Sequence, residues 1–511
     1  MRKLLNWILK FLSSRLFMVS VIIILQIVLL YFGMATIRAI PYVDAILSVF
    51  DFILLIHVAN RDSNTSYKLV WALIIYVIPV IGGLIYVMFA EKQVPKSLRN
   101  EMTRSIANSE GLLKQKEKYK NNLDDEDIAQ QFNYVLNASS YPYYQNSAVK
   151  YFGSGAEAFD DMLAHIKKAK HFIFLEYFII KDGVMLQSLV NELTQKVNEG
   201  VEVYFMYDDF GSITSAPENF VKEMNGKGMH CVEFSKVSAY LSLLSKNNNR
   251  DHRKICVIDN KVAYLGGFNI ADEYIGKKIR FGVWKDSGVR IEGEAVSNIT
   301  IMFIQFYNAM VEENINYRDY LLPVKRIKND SFVLPFSNSP SDKVNVARTV
   351  HLNLITHAKK YIYISTPYLI LDHDFMTALI TASRSGVEVI INVPHIPDKK
   401  TVFAVTRSNY DVLVRNGVRV FEYTPGFVHS KLIVSDDKIA VEGSINMDHR
   451  SYYLQYESGV LIANDESIMD MKQDYLNTIA ESKEILAADV ENIPFLVKMF
   501  RGVMRLISPL F

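Results

Sequence analysis

The chain has 511 residues, enough for about two or three domains that each bury a core, and 50% of them are hydrophobic. Its 56 basic against 55 acidic residues exclude a global polycation, so a nucleic-acid partner would have to rely on a local basic patch. Two cysteines, Cys231 and Cys256, exclude a disulfide framework; both sit in apolar runs and read as small buried hydrophobes.

Residues 1–17 interleave Leu4, Leu5, Trp7, Ile8, Phe11 and Leu12 with Lys3, Asn6, Lys10 and Ser13 at helical spacing, the pattern of an amphipathic helix lying on a membrane. Residues 16–37 are nearly all apolar and long enough to cross a hydrocarbon core of about 30 Å, so they read as a transmembrane helix. A second span is expected at 69–90, where Pro79, Gly82 and Gly83 are tolerable because neighbouring helices satisfy freed backbone groups. Between them, 42–59 is apolar but carries Asp44 and Asp51, which suits a re-entrant or interfacial helix better than a lipid-exposed crossing. Arg2, Lys3, Lys10 and Arg15 precede the first span, and Lys92, Lys96, Arg99 and Arg104 follow the last. The positive-inside rule puts both clusters in the cytoplasm and requires an even number of crossings. A membrane region is therefore expected over 1–105.

Residues 114–127, rich in Lys, Asn, Asp and Glu, read as a solvated linker or exposed helix, and 134–151 as an irregular edge. Two repeats follow, assigned to 106–325 and 326–511. In each, a helical pattern leads into a strand, His171 to Tyr177 or Tyr361 to Tyr368, then another helix and Gly-Val-Glu-Val at Gly200 and Gly386. Alternating helices and short β-branched or aromatic strands mark an α/β unit. The first repeat inserts 235–249 before its histidine motif, a segment expected to shape the substrate mouth. Residues 495–511 set Lys498, Arg501 and Arg505 on one face and Leu496, Met499, Val503 and Ile507 toward the other, as an interfacial helix or a plain C-terminal docking helix would.

One frame occurs twice. His252-Arg253-Lys254 runs to Asp259 and then Gly266-Gly267-Phe268-Asn269; His429-Ser430-Lys431 runs to Asp436 and then Gly443-Ser444-Ile445-Asn446. Each histidine and lysine opens a strand-type run, and a period of two turns them to one face. This frame resembles the phospholipase D superfamily, with its paired H-x-K-x-x-x-x-D motifs and trailing G-[GS]-x-N. Within it, Arg250 to Lys254, Gly266 to Ile270, Trp284-Lys285-Asp286 and Asn446-Met447-Asp448 are similar to bacterial cardiolipin synthases, over nearly the whole chain. The N-terminal region departs from that pattern, with three apolar stretches where two are usual.

The resemblance implies an α/β fold of two pseudo-symmetric phospholipase D-like repeats sharing one active site behind N-terminal transmembrane helices. It implies a catalytic set of His252, Lys254, Asp259, His429, Lys431 and Asp436, with Asp259 and Asp436 better read as tying the motif's strand or loop together. Breaking a phosphodiester asks for a nucleophile, an acid for the leaving oxygen and positive charge around the phosphoryl oxygens. One histidine would attack phosphorus and the other protonate the leaving group. Lys254, Lys431, Asn269 and Asn446 would hold the phosphate, with Ser444 and Gly267 beside them. Each histidine also needs an acceptor for its far nitrogen, as in the protease triad, and Asp286 and Glu457, in aligned strings, offer one.

The expected reaction takes phosphatidyl from one phosphatidylglycerol, parks it on histidine and passes it to a glycerol hydroxyl of a second. No cofactor and no metal is called for, and no G-x-x-x-x-G-K-[ST] loop is present for nucleotide activation. The alternative is a phospholipase D or other phosphatidyltransferase with a different acceptor. A membrane-anchored nuclease would share the frame but want a basic, aromatic-studded groove, and no concentrated basic stretch flanks either motif. The setting implied is a bacterial cell membrane, multi-pass, with the catalytic domain cytoplasmic, phospholipid substrates, no nucleic acid, and an oligomeric state left open.

Overall fold

The computed structural model describes Phe32 and residues 41–61, 63–90, 94–236 and 248–510. The helix expected at 1–17, the span at 16–37 apart from Phe32, and most of the insertion 235–249 lie outside the described residues. No helix among the described residues is long and apolar enough to cross a membrane. The stretch 42–59 is the helix Pro41–Asn60. The single span expected at 69–90 is corrected to two short helices, Thr65–Val77 and Ile81–Phe89, broken at Pro79. Proline lacks an N–H and clashes with the preceding turn, and Val80 after it takes a φ of 69°. The Asp51 carboxylate accepts the Val80 N–H at this break, so the buried acid serves a helix start. Val58, Tyr67, Trp71, Ile75 and Tyr86 hold the helices together, while Ile46, Val49, Ile53, Leu69 and Tyr76 remain exposed.

The helix Lys96–Ser109 runs across residue 105 and packs on the helix Val296–Asn308. Residues 114–127 are tied down more than a solvated linker would be: Tyr119, in the helix Glu117–Asn121, is buried and donates its hydroxyl to Glu294 at 2.5 Å.

Strands β1 (Ser147–Phe152), β2 (Phe172–Tyr177), β3 (Glu202–Asp208), β4 (His230–Phe234), β5 (Arg250–Asp251), β6 (Lys254–Ile258), β7 (Val262–Gly266), β8 (Val283–Lys285) and β9 (Gly288–Gly293) belong to the first repeat. The second has β10 (Phe332–Asn338), β11 (Tyr361–Ser365), β12 (Glu388–Pro394), β13 (Arg419–Tyr423), β14 (Gly426–Val428), β15 (Leu432–Ser435), β16 (Ile439–Gly443), β17 (Gln455–Ala463) and β18 (Ser482–Glu484). The first sheet runs β1-β9-β7-β6-β2-β3-β4, and the second runs β10-β17-β16-β15-β11-β12-β13 before adding β18. These orders match strand for strand, with β2-β3-β4 and β11-β12-β13 parallel and the other neighbours antiparallel.

Period-two alternation explains how the repeats join. In β6, Cys256 and Ile258 face a core confined to the first repeat, with Leu189 and Phe205. Ile255 and Val257 face a larger core that runs continuously through Phe303 of the helix Val296–Asn308 to Phe336, Val434 and Val460 of the second repeat. Both cysteines are buried and unpaired.

Candidate active site

The segments that carry the two histidines are exchanged between the repeats. β5, just before His252, pairs in parallel with the start of β17, where Arg250 opposes Gln455 and Asp251 opposes Tyr456. β14, just before His429, pairs in parallel with β8, where Phe427 opposes Trp284 and Val428 opposes Lys285. Each pairing ends on a histidine N–H: His252 donates to the Tyr456 carbonyl at 2.9 Å and His429 to the Lys285 carbonyl at 2.6 Å. The next residue along each lending strand is an acid. His252 Nδ1 therefore lies 3.0 Å from Glu457 Oε1, and His429 Nδ1 lies 2.7 Å from Asp286 Oδ2. Asp286, held ionised, only accepts, so the proton of His429 sits on Nδ1 and its Nε2 lone pair is left for chemistry; Glu457 holds the ring of His252 in the matching orientation.

Both imidazoles open into one cavity of about 720 Å³, whose walls also include Phe178, Asn269, Trp284 and Asn446. Lys254 and Lys431 each turn an ammonium back onto the carbonyl of their own histidine. Burial pulls Lys254 down to about 7, with Lys431 adding to the fall, and burial pulls Lys431 down to about 8. Burial likewise holds His252 well below the usual imidazole range, assisted by Lys254 and Lys431. His429 is drawn down to about 4 by burial and then by Lys431, against the opposing pull of Asp286. Each half-site thus feels the lysine of the other, and both imidazoles are neutral near pH 7, as a nitrogen nucleophile requires.

The remaining expected residues divide into those brought to the cavity and those held behind it. Asn269 Oδ1 accepts the Ile179 N–H at 3.0 Å and its amide donates to Tyr274 at 2.6 Å, while Asn446 lines the opposite half. Ser444, expected beside the phosphate, is not among the residues that line the cavity. Its hydroxyl donates to Glu457 and accepts the Ser458 N–H at 3.0 Å, which makes it a support for the His252 acceptor. Gly267 is likewise absent from the cavity lining, and a Cβ there would stand 2.0 Å from Asp286 Oδ1, so the missing side chain is what admits the acid behind His429.

Asp259 and Asp436 lie at sharp turns, with φ of 55° and 57°, and not in the cavity wall. Asp259 accepts the N–H groups of Lys170, His171 and Phe172, and Asp436 those of Lys359, Lys360 and Tyr361, all within 3.0 Å. Each ties the start of the neighbouring strand, β2 or β11, to the motif strand.

An aromatic wall was not foreseen. Trp284 and Phe427 stand with ring centroids 5.4 and 5.8 Å from His429, and Phe178 4.9 Å from His252. Their spacing held the signal, since Trp284 and Phe427 precede Asp286 and His429 by two residues and so share their strand face. Behind the wall, Ser287 bonds Ser430 at 2.6 Å and Glu442 at 2.9 Å, a buried polar link across the repeats.

Comparisons with known proteins bear on this architecture. The family model described as cardiolipin synthase, PLD-like domain matches residues 162–287 and 351–479, one match per repeat, and one described as phospholipase D-nuclease N-terminal matches 49–90. An uncharacterized protein of Streptococcus mutans is 36% identical over 89% of this chain and 99% of its own length. A cardiolipin synthase of Alkalihalophilus pseudofirmus is 33% identical over 91% of this chain and 92% of its own. The solved structure of a phosphatidylserine synthase of Haemophilus influenzae covers 76% of this chain and 100% of its own at a TM-score of 0.55 and 15% identity, a likeness of fold. With two matched repeats and relatives aligned along nearly their full length, the chain belongs to the cardiolipin synthase family of phospholipase D-like proteins.

Proposed function

We propose that this chain is a membrane-associated phosphatidyltransferase that makes cardiolipin and glycerol from two molecules of phosphatidylglycerol. One observation carries the reading: two imidazoles, one from each repeat, have their Nδ1 atoms on buried carboxylates and open into the same cavity. The cardiolipin synthases among the relatives support the donor and product.

In this scheme Nε2 of one histidine attacks phosphorus while the other, which takes up a proton when the phosphodiester anion binds beside it, protonates the departing glycerol oxygen. The P–O bond to glycerol breaks as the N–P bond forms. The second imidazole, now neutral, takes the proton from a headgroup hydroxyl of another phosphatidylglycerol. That oxygen attacks phosphorus, the N–P bond breaks and both histidines are restored. One phosphodiester replaces another, so no activating nucleotide enters. Lys254, Lys431, Asn269 and Asn446 hold the phosphoryl oxygens, Asp286 and Glu457 steady the imidazoles, and Asp259 and Asp436 keep the motif strands in position.

The exposed apolar residues of the helix Pro41–Asn60, and Phe495, Leu496, Met499 and Phe500 of the C-terminal helix Phe495–Leu506, support seating at a lipid surface. The membrane region would be 1–105 and the catalytic repeats 106–325 and 326–511, in the cytoplasm. Incubating the purified protein with phosphatidylglycerol alone and identifying products by mass spectrometry tests the assignment. Cardiolipin with released glycerol is expected, lost in His252→Ala and His429→Ala; phosphatidic acid as the sole lipid product would make it a hydrolase.

A further inference from the structure

Transfer between two phosphatidylglycerols brings two phosphodiester anions into one cavity. Lys254 and Lys431 answer the phosphoryl group being transferred, and the phosphate of the acceptor needs its own counter-charge, because like charges at close range in a partly desolvated site repel strongly. Five cations line the cavity itself: Lys181, Arg250, Arg280, Lys399 and Arg450. Three of them have carboxylate partners, two of these cations sharing one. Lys181 and Arg280 share Glu273, at 3.2 and 3.0 Å, and Arg250 lies 3.6 Å from Asp208.

Lys399 and Arg450 differ. Among the described residues neither has a carboxylate within ion-pair distance. Arg450 is held by neutral acceptors, donating from Nη1 to Asn248 Oδ1 at 3.3 Å and from Nη2 to the Asn248 carbonyl at 3.2 Å. These bonds orient the guanidinium without cancelling its charge. Lys399 Nζ stands 5.1 Å from the ring centroid of Tyr368, whose hydroxyl is bonded to Asp398 at 2.6 Å. The two cations share a wall beside Asp448, two residues beyond Asn446. Burial pushes the Asp448 carboxyl up, and both Arg450 and Lys399 pull it back. Lys399 also acts on His252, so this wall is within electrostatic reach of the reacting centre.

We propose that Lys399 and Arg450 form an acceptor subsite, which binds the phosphodiester of the second phosphatidylglycerol while its headgroup hydroxyl faces the reacting phosphorus. The assignment rests on the phosphatidyltransferase reading and narrows it: the preferred acceptor is an anionic glycerophospholipid and not a neutral alcohol. A fork-shaped guanidinium beside a point-charge ammonium is suited to a phosphate with two free oxygens.

The test follows two products from one incubation. Phosphatidylglycerol is supplied with radiolabelled glycerol, so that transfer to lipid gives cardiolipin and transfer to the neutral alcohol gives labelled phosphatidylglycerol. Both routes share the donor step. In Arg450→Gln and in Lys399→Gln the ratio of cardiolipin to labelled phosphatidylglycerol is expected to fall about tenfold, the size of one charge-assisted contact, with KM for the lipid acceptor raised. Arg450→Lys should recover part of the ratio. Lys399 is exposed, so its variant does not depend on refilling a core. Equal losses of both products, or an unchanged ratio in both variants, would overturn the subsite. A wild-type protein that exchanges glycerol but makes no cardiolipin would overturn the underlying reading instead.

Discussion

Asp286 and Glu457 stand in matching positions behind the two histidines, yet their surroundings set them apart. Burial pushes the Asp286 carboxyl up, but His429, Lys431 and the Ser287 N–H outweigh it and hold the group below the usual carboxylate range. Burial pushes Glu457 up to about 8 despite Lys254 and Ser444. The charge opposing an imidazolium is therefore firmer behind His429, and Asp286→Asn is expected to cost more in kcat than Glu457→Gln. In a protease triad the equivalent change costs about 10⁴; a larger loss in the glutamate variant would reverse the assignment. A second expectation concerns pH. Lysine holds phosphate only when charged, hence below its pKa, and the empty site has Lys254 at about 7 and Lys431 at about 8. kcat/KM should decline as pH rises through that window. A bound phosphodiester favours the charged lysines, so the decline in kcat should come at higher pH. Profiles of both parameters decide this, and a level kcat/KM across the window would contradict it.

At the scale of elements, the strands do two separate jobs. β6, which begins at Lys254, and β15, which follows directly on Lys431, build the core, while the short β5 and β14 cross to the other repeat and set each histidine against its acid. Asp259 and Asp436 belong to the first job, each gathering three backbone N–H groups at a strand start. Asp259→Ala should lower stability by about 2–3 kcal/mol, the cost of leaving the buried Phe172 donor and its neighbours unmet, and Asp436→Ala by less, because water can reach the Lys359 and Lys360 N–H groups, as read from urea denaturation. The folded fraction should retain most of its kcat; complete inactivity of a fully folded variant would restore a chemical role. That these aspartates support the motif was legible in their place at the end of a strand run. The exchange of β5 and β14 was not, because two- and three-residue strands carry too little pattern to register and their partners lie more than 140 residues away, at Gln455 and Val283.

Across the whole molecule, one apolar core runs through the helix Val296–Asn308 into both sheets, so the repeats form a continuous body and the cavity lies where they meet. Topology is the open prediction at this scale. Lys118 is exposed on the helix Glu117–Asn121, after the N-terminal helices and ahead of β1. Lys118→Cys should resist membrane-impermeant thiol reagents in intact cells and react after permeabilisation, since basic clusters on both sides of the apolar region argue for a cytoplasmic exit. Rapid labelling in intact cells would put the catalytic repeats outside.

The sequence by itself determined the doubled motif and the α/β alternation, because periodicity and fixed offsets are local properties of a chain. It also marked Asp286 and Glu457 as acids at equivalent positions. Only the tertiary structure decided which acid serves which histidine, since that depends on strands crossing between repeats. The same holds for Ser444 turning to Glu457, for the break at Pro79 being met by Asp51, and for Lys399 and Arg450 standing, among the described residues, without the carboxylate partners that Lys181, Arg250 and Arg280 have. In each case the outcome rests on a partner distant in the chain, and burial makes the presence or absence of that partner decisive.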